Sequence, residues 1–207
     1  FLLNRSSDLD LKILIFIGVW LGDGNSRDKW VCCGEDKFRH YQPYILEHKP
    51  ASGGRMVHLN GLETSNLRQL GLLQNKHIPI QYLLASKYDR LRLLQGLMDT
   101  DGCVNPMGRC EFCQKEGQLA EDVYVLLRSL GYKPTEHKYV AKLYGKDCGN
   151  KVRISFSPNK GDQVFTIPHK KVRLDNKTTS DRKDKNIFFI TKVEDGEPQM
   201  VNCIEVE

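Results

Sequence analysis

Two aspartates in this chain stand at the ends of matching apolar runs. Phe16-Ile17-Gly18-Val19-Trp20-Leu21-Gly22-Asp23-Gly24 and Leu94-Gln95-Gly96-Leu97-Met98-Asp99-Thr100-Asp101-Gly102 share a register: an Asp-Gly pair closes each, and Gly18 or Gly96 sits five positions before the final acid. Carboxylates brought together repel one another and call for a cation. Two of them converging on divalent metal beside a basic surface suit phosphodiester hydrolysis, because paired metals about 3.5–4 Å apart can activate water and stabilise the leaving oxygen.

The elements that must position these acids are helices. Ser6-Ser7-Asp8 precedes the first run and Ser86-Lys87-Tyr88-Asp89, in a capping-box pattern, precedes the second; both are helix-start signals. A helix apolar on nearly every face must be buried, and a glycine in its middle costs about 1 kcal/mol against alanine. Close helix approach offsets that cost, since two backbones without side chains between them pack nearer than the ordinary 8–10 Å or so. Gly18 and Gly96 are therefore expected at a shared helix interface. Such packing would set Asp23 and Asp101 side by side at the negative helix ends, where a cation is favoured.

On these paired motifs the chain resembles the LAGLIDADG homing endonucleases, in particular the type carried in inteins, which read L-G-D-G in the first copy and D-x-D-G in the second. The resemblance covers most of the chain and implies an α+β fold: a pseudo-twofold tandem of two αββαββα half-domains, packed through the motif helices, with two sheets forming a saddle over DNA. It puts the half-domains at 1–80 and 81–175, and a linker with remnant strands of an intein splicing domain at 176–207. The implied activity is site-specific, Mg²⁺-dependent double-strand cleavage by a monomer over a long asymmetric target, leaving 3′ overhangs. Two or three divalent ions would be shared between Asp23 and Asp101, with Gly22 and Thr100 completing the metal site. The first copy departs from the full motif in having Leu21 where the second has Asp99, but in the family the final acid carries the metal. The resemblance also implies two catalytic lysines, Lys76 ahead of Ile78-Pro79, and one of the Lys170-Lys171 pair, with Lys171 the better match. A lysine there could stabilise developing charge or poise the attacking water. The alternative is a DNA-binding protein that kept the saddle and lost cleavage, acting as a regulator or splicing cofactor; the presence of Asp23, Asp101 and Lys76 argues against that decay.

Composition agrees. The 207 residues are 40% hydrophobic and 28% charged, which is ordinary for a soluble protein of one large or two small domains. No apolar run approaches the roughly 18–20 residues of a membrane span. Seven cysteines, with Cys32 and Cys33 adjacent, read most simply as reduced thiols of an intracellular protein. Cys110 and Cys113 would face opposite ways on a strand, so zinc is a weak reading. Asp99-Thr100-Asp101-Gly102 fails as an EF-hand start because Cys103 falls where the third ligand belongs. Net charge is +5, and residues 131–185 hold 14 Lys and Arg against 6 Asp and Glu. That basic region, interleaved with Tyr139 and Tyr144, reads as a phosphate-tracking surface. Lys138, Lys142, Lys151, Arg153 and Lys170 are its expected DNA contacts.

The remaining expectations concern framework. Strands are predicted at Lys29–Cys33 and Arg55–Leu59, with a helix at Glu63–Leu73. In the second half the expected order is strand Arg109–Gln114, helix Gly117–Leu130, strands Lys138–Tyr144 and Lys151–Ser157, and a short helix near Gly161–Phe165. Asn186–Glu194 and Met200–Glu207 read as two strands resembling those near an intein's C-terminal junction. Splicing needs a nucleophilic first residue and a terminal Asn, whereas the ends here are Phe1 and Glu207 and no histidine follows His169; the chain is not expected to splice.

Overall fold

A computed structural model describes residues 10–159, 161–176 and 190–195. In chain order the elements are α1 (Asp10–Asp23), β1 (Val31–Cys33), α2 (Glu35–Tyr41), β2 (Ile45–Ala51), β3 (Gly54–Leu59), α3 (Thr64–Gln69), α4 (Ile80–Leu83), α5 (Lys87–Asp101), β4 (Gly102–Val104), β5 (Cys110–Lys115), α6 (Gln118–Ser129), β6 (Thr135–Leu143), β7 (Lys146–Phe156) and α7 (Pro168–Asp175). Among the described residues no helix is long and apolar enough to cross a membrane.

The apolar runs form α1 and α5, which pack on each other at their glycines. A Cβ on Gly18 would lie 2.3 Å from the Leu93 carbonyl oxygen, and one on Gly96 would lie 2.0 Å from that of Ile15. Neither contact is one a real side chain could make, so the backbones touch there. Phe16, Ile17, Val19, Trp20 and Leu21 on α1, and Leu93, Leu94, Leu97 and Met98 on α5, are all buried. Each such side chain stabilises the fold by about 1.5–3 kcal/mol relative to exposure. Ser86 caps α5 as its sequence suggests: its Oγ accepts the Asp89 N–H at 3.2 Å and donates to the Asp89 carboxylate at 2.7 Å. The start signal of the first helix, Ser6-Ser7-Asp8, lies outside the described residues.

Two antiparallel sheets lie on this helix pair, one ordered β1-β3-β2 and the other β4-β5-β7-β6. They share one plan. In the second half β4 follows the acid and places Gly102 opposite Phe112; in the first half the same feature shrinks to a single bridge between Gly24 and Val31. Each sheet has one apolar face on the helices, made by Val31, Cys33, Val57 and Leu59 in the first and by Cys110, Phe112, Val152, Ile154 and Phe156 in the second. The α6 stripe of Leu119, Val123, Leu126, Leu127 and Leu130 is buried as expected.

Four expectations are corrected. No helix forms at Gly161–Phe165; α7 begins instead at Pro168, whose fixed φ and missing N–H suit a first helical position. Tyr144 is not on a strand. It and Gly145 have φ of 50° and 79° and form the two-residue turn between β6 and β7, the backbone geometry a tight hairpin requires. The helix expected over Glu63–Leu73 is confined to Thr64–Gln69 and closes before Gly71, whose φ is 69°. Residues Ile190 to Asp195 carry no strand, and the rest of the two tail strands expected there lies outside the described residues.

Candidate functional site

The ends of α1 and α5 abut. A Cβ on Gly22 would sit 2.0 Å from Thr100 Oγ1 and 3.2 Å from Asp101 Oδ2, so only glycine at 22 lets the two acids share a site. Burial, and then the negative charge of Asp23, push the Asp101 carboxyl up to about 6, against the opposing pull of Lys76, Lys37 and Lys151. Gln114 Nε2 donates to Asp101 Oδ2 at 3.0 Å, and the Asp23 carboxylate is ion-paired with Lys37.

Lysines answer the negative helix ends. Lys76 Nζ donates to the carbonyls of Gly22 at 3.1 Å and Gly24 at 2.8 Å. Lys170 Nζ donates to those of Met98 at 3.0 Å, Asp99 at 2.8 Å and Gly102 at 2.7 Å. Gly24 and Gly102 are equivalent, so Lys170 is the partner of Lys76 across the pseudo-twofold. Lys170, expected among the DNA contacts, is thus turned in onto the helix-end carbonyls, and it is Lys170, not its neighbour Lys171, that occupies the position matching Lys76. One residue along α7 rotates a side chain by about 100°, as 3.6 residues make a turn. Burial lowers the Lys76 ammonium to about 8 and moves Lys170 downward as well.

Asp99 explains how Lys170 is held. The carboxylate is buried and accepts from Tyr41 Oη at 2.7 Å, the Thr166 N–H at 2.9 Å, the Ile167 N–H at 3.2 Å and the Thr166 hydroxyl. Thr166 and Ile167 lead directly into α7, so the acid pins the start of the helix that delivers Lys170. Tyr41 comes from the first half. At the equivalent place α1 has Leu21, packed in the core with no exposure.

The open face of the second sheet follows from strand parity. Val152, Ile154 and Phe156 point to the helices, so Lys151, Arg153 and Ser155 point away, together with their opposite partners Tyr139, His137 and Thr135. Arg153 lies over the Tyr139 ring at 5.3 Å, and His137 stacks on that ring at 6.0 Å. Lys142 is exposed near the hairpin tip. Lys138 departs from this face: it sits opposite Val152, on the other side of the sheet, and is exposed and paired with Glu116 at 2.7 Å. Cys110 and Cys113 face opposite sides of β5, the first buried and the second half-buried. Among the described residues no three or more His, Cys, Asp and Glu side chains form a metal-holding cluster; the donors at the helix ends are two carboxylates and backbone carbonyls.

Sequence reasoning missed Lys37, Gln114 and the Tyr41–Thr166 clamp. Gln114 was within reach, being two residues beyond buried Phe112 on the same side of β5. Nothing in local spacing marks Lys37 or Tyr41, which arrive from across the fold.

Comparisons with known proteins agree with the fold. A family model described as a LAGLIDADG-like domain matches residues 89–157. The chain is 31% identical over 192 residues to a replicative DNA helicase DnaB of Mycobacterium intracellulare; that is 92% of this chain and 31% of the helicase, so the chain spans about a third of that relative's length. Among solved structures, I-DmoI in complex with DNA and calcium superposes with a TM-score of 0.54 at 14% identity, over 82% of this chain and 100% of that one. Mesophilic variants of the homing endonuclease I-DmoI give 0.50 at 14% identity, over 83% and 96%.

Proposed function

For a chain with the LAGLIDADG homing-endonuclease fold and a LAGLIDADG-like domain in its second half, we propose the function of a site-specific, metal-dependent double-strand DNA endonuclease of the intein-associated type. The carrying observation is the junction of Asp23 and Asp101 at abutting helix ends, each end topped by a half-buried lysine. Asp23 and Asp101, with backbone carbonyls at Gly22 and Thr100, would hold two or three divalent ions, Mg²⁺ being the expected one. When bound, such ions supply an activated water and neutralise the leaving oxygen. The donor set fits: it is all oxygen, and the Gly22 carbonyl already accepts a hydrogen bond from Lys76, so it faces the site. I-DmoI, which shares the fold, was solved with DNA and calcium.

The chain's own residues then have distinct tasks. Lys76 and Lys170 are placed to stabilise charge developing on the scissile phosphates, and Lys76, with its proton loosened to about 8, is also able to exchange one with the attacking water. Gln114 orients the Asp101 carboxylate. Lys151, Arg153 and Tyr139 on the open sheet face contact the DNA backbone and bases, with Lys142 reaching outward from the hairpin tip. The half-domains at 1–80 and 81–175 each serve one strand, which makes a monomer sufficient for a long asymmetric site and staggered ends with 3′ overhangs. Residues 176–207 would then be a linker and a remnant of a surrounding splicing domain. A match that takes up only 31% of a helicase fits an element inserted within a host protein.

Incubating the protein and Mg²⁺ with a randomised plasmid library and sequencing the cut ends tests this. One recurrent site with 3′ overhangs is expected. Tight DNA binding with no recurrent cut would replace this reading with that of a decayed DNA-binding regulator.

A further inference from the structure

The shorter first half brings a lysine to its acid that the second half lacks. β1 ends at Cys33 and α2 begins at Glu35, so the first turn of α2 carries Lys37 over the end of α1, where its ammonium pairs with the Asp23 carboxylate. The two side chains are only 23% and 22% exposed. Because Gly24 faces Val31 as Gly102 faces Phe112, Cys33 is equivalent to Gln114, and counting on from there Lys37 is equivalent to Gln118. Gln118 turns away, donating to Asp122 at 2.8 Å, and Asp101 receives the uncharged amide of Gln114 instead. The charge of Lys37 also acts on Asp101, Lys170 and Cys33, which puts it inside the shared site and not on its rim.

We propose that Lys37 is the resident counter-ion of Asp23, holding the place of a divalent cation and displaced when one binds, so that the two acids load metal with unequal affinity. The inference rests on reading Asp23 and Asp101 as metal ligands. A cation arriving at Asp23 must break an ion pair that is largely shielded from solvent and must sit near a displaced ammonium, and both effects subtract from its affinity. A cation at Asp101 breaks only a hydrogen bond to a neutral amide. Lys37 is thus a positioning residue for Asp23.

Calorimetric titration with Ca²⁺ tests this, on Asp101→Asn protein so that Asp23 is the remaining acid. Adding Lys37→Met should tighten Ca²⁺ binding by about three- to tenfold, the range expected of a partly buried ion pair, while Lys37→Arg should leave it near the parent value. In Asp23→Asn protein, Lys37→Met should tighten Ca²⁺ binding less, because no ion pair remains to be broken and only the charge that Lys37 exerts on Asp101 is removed. Unchanged or weaker Ca²⁺ binding in the Asp101→Asn, Lys37→Met protein overturns the inference, even if the metal-free protein melts lower, because a merely structural pair would do only that. Should Lys37→Met fail to fold, Lys37→Gln serves in the same titration. If Asp23→Asn binds Ca²⁺ as the wild type does, the metal reading of the site fails as well; if it binds more weakly and Lys37 substitutions have no effect, only the role of Lys37 is lost.

Discussion

The two halves match most closely where their backbones meet and diverge with distance from that contact. At the helix interface, Gly18 answers Gly96 and Asp23 answers Asp101. Away from it, the second half completes a four-stranded sheet with an 11-residue β7, while the first has three strands and reduces the fourth to the Gly24–Val31 bridge. The second half buries an acid, Asp99, with four donors around it; the first buries Leu21. Close packing tolerates no variation, because a methyl group has nowhere to go. A buried charge is tolerated only where donors are supplied, and those for Asp99 come from Tyr41 in the other half and from Thr166 and Ile167 far along the chain. Symmetry in this molecule is therefore enforced by contact distance and relaxed by distance from the contact.

The strongest way to break that comparison is at the glycines. Gly18→Leu or Gly96→Leu should cost about 3 kcal/mol or more, since overpacking where backbones touch exceeds the usual range, and melting should fall by roughly 10 °C or the chain should not fold. Gly34→Ala, with open space around its Cβ, should melt like the wild type. Equal melting of all three variants would mean that the helices are not in backbone contact.

Asp99→Leu, which gives α5 the residue that α1 carries, comes next. It strands buried donors on Tyr41, Thr166 and Ile167, at a cost of about 2–4 kcal/mol. Chemical denaturation measures it; a loss below the error of the fit would show that the clamp contributes nothing.

The acids should respond to substitution with opposite signs in metal-free protein. Asp101 has a folded value raised from 3.8 to about 6, so the folded state holds that proton more tightly. Its contribution favours folding below pH 4 and is lost as pH rises through 6. Asp101→Asn should thus stabilise the metal-free protein by about 1–2 kcal/mol at pH 7.5 and not at pH 4. Asp23→Asn should instead destabilise it by about 0.5–1 kcal/mol, through loss of the Lys37 pair. Melting curves at the two pH values decide, and a shared sign would undo the distinction between the sites.

Much of the centre was legible in the sequence because its signals are local: an apolar run, a cap at Ser86, a glycine in register and an acid at the end. The open sheet face was half legible. Counting charge picked out residues 131–185, but only the phase of β6 against Val152 separates Lys138, on the helix side, from Tyr139 and His137, on the open side. Lys170 and Lys171 are neighbours in sequence and were separable only once Pro168 and the Asp99 clamp had set the phase of α7. Lys37 and Tyr41 take their roles from where a short β1 leaves α2, which no local pattern encodes.

The smallest expected effect sharpens the face assignment. Arg153→Ala should weaken DNA binding and lower the slope of log affinity against log salt by about 1, whereas Lys138→Ala should leave both unchanged. Fluorescence anisotropy at several salt concentrations reads the two, and an equal loss would put both residues on the DNA.

The most direct measurement takes the target found by library cleavage and assays wild type, Asp23→Asn and Asp101→Asn for double-strand cleavage in Mg²⁺ and for affinity in Ca²⁺. If the two acids at the helix junction hold the metals, each substitution abolishes double-strand cleavage while affinity stays largely intact, since the phosphate contacts are made elsewhere. Normal double-strand cutting by either variant would contradict it.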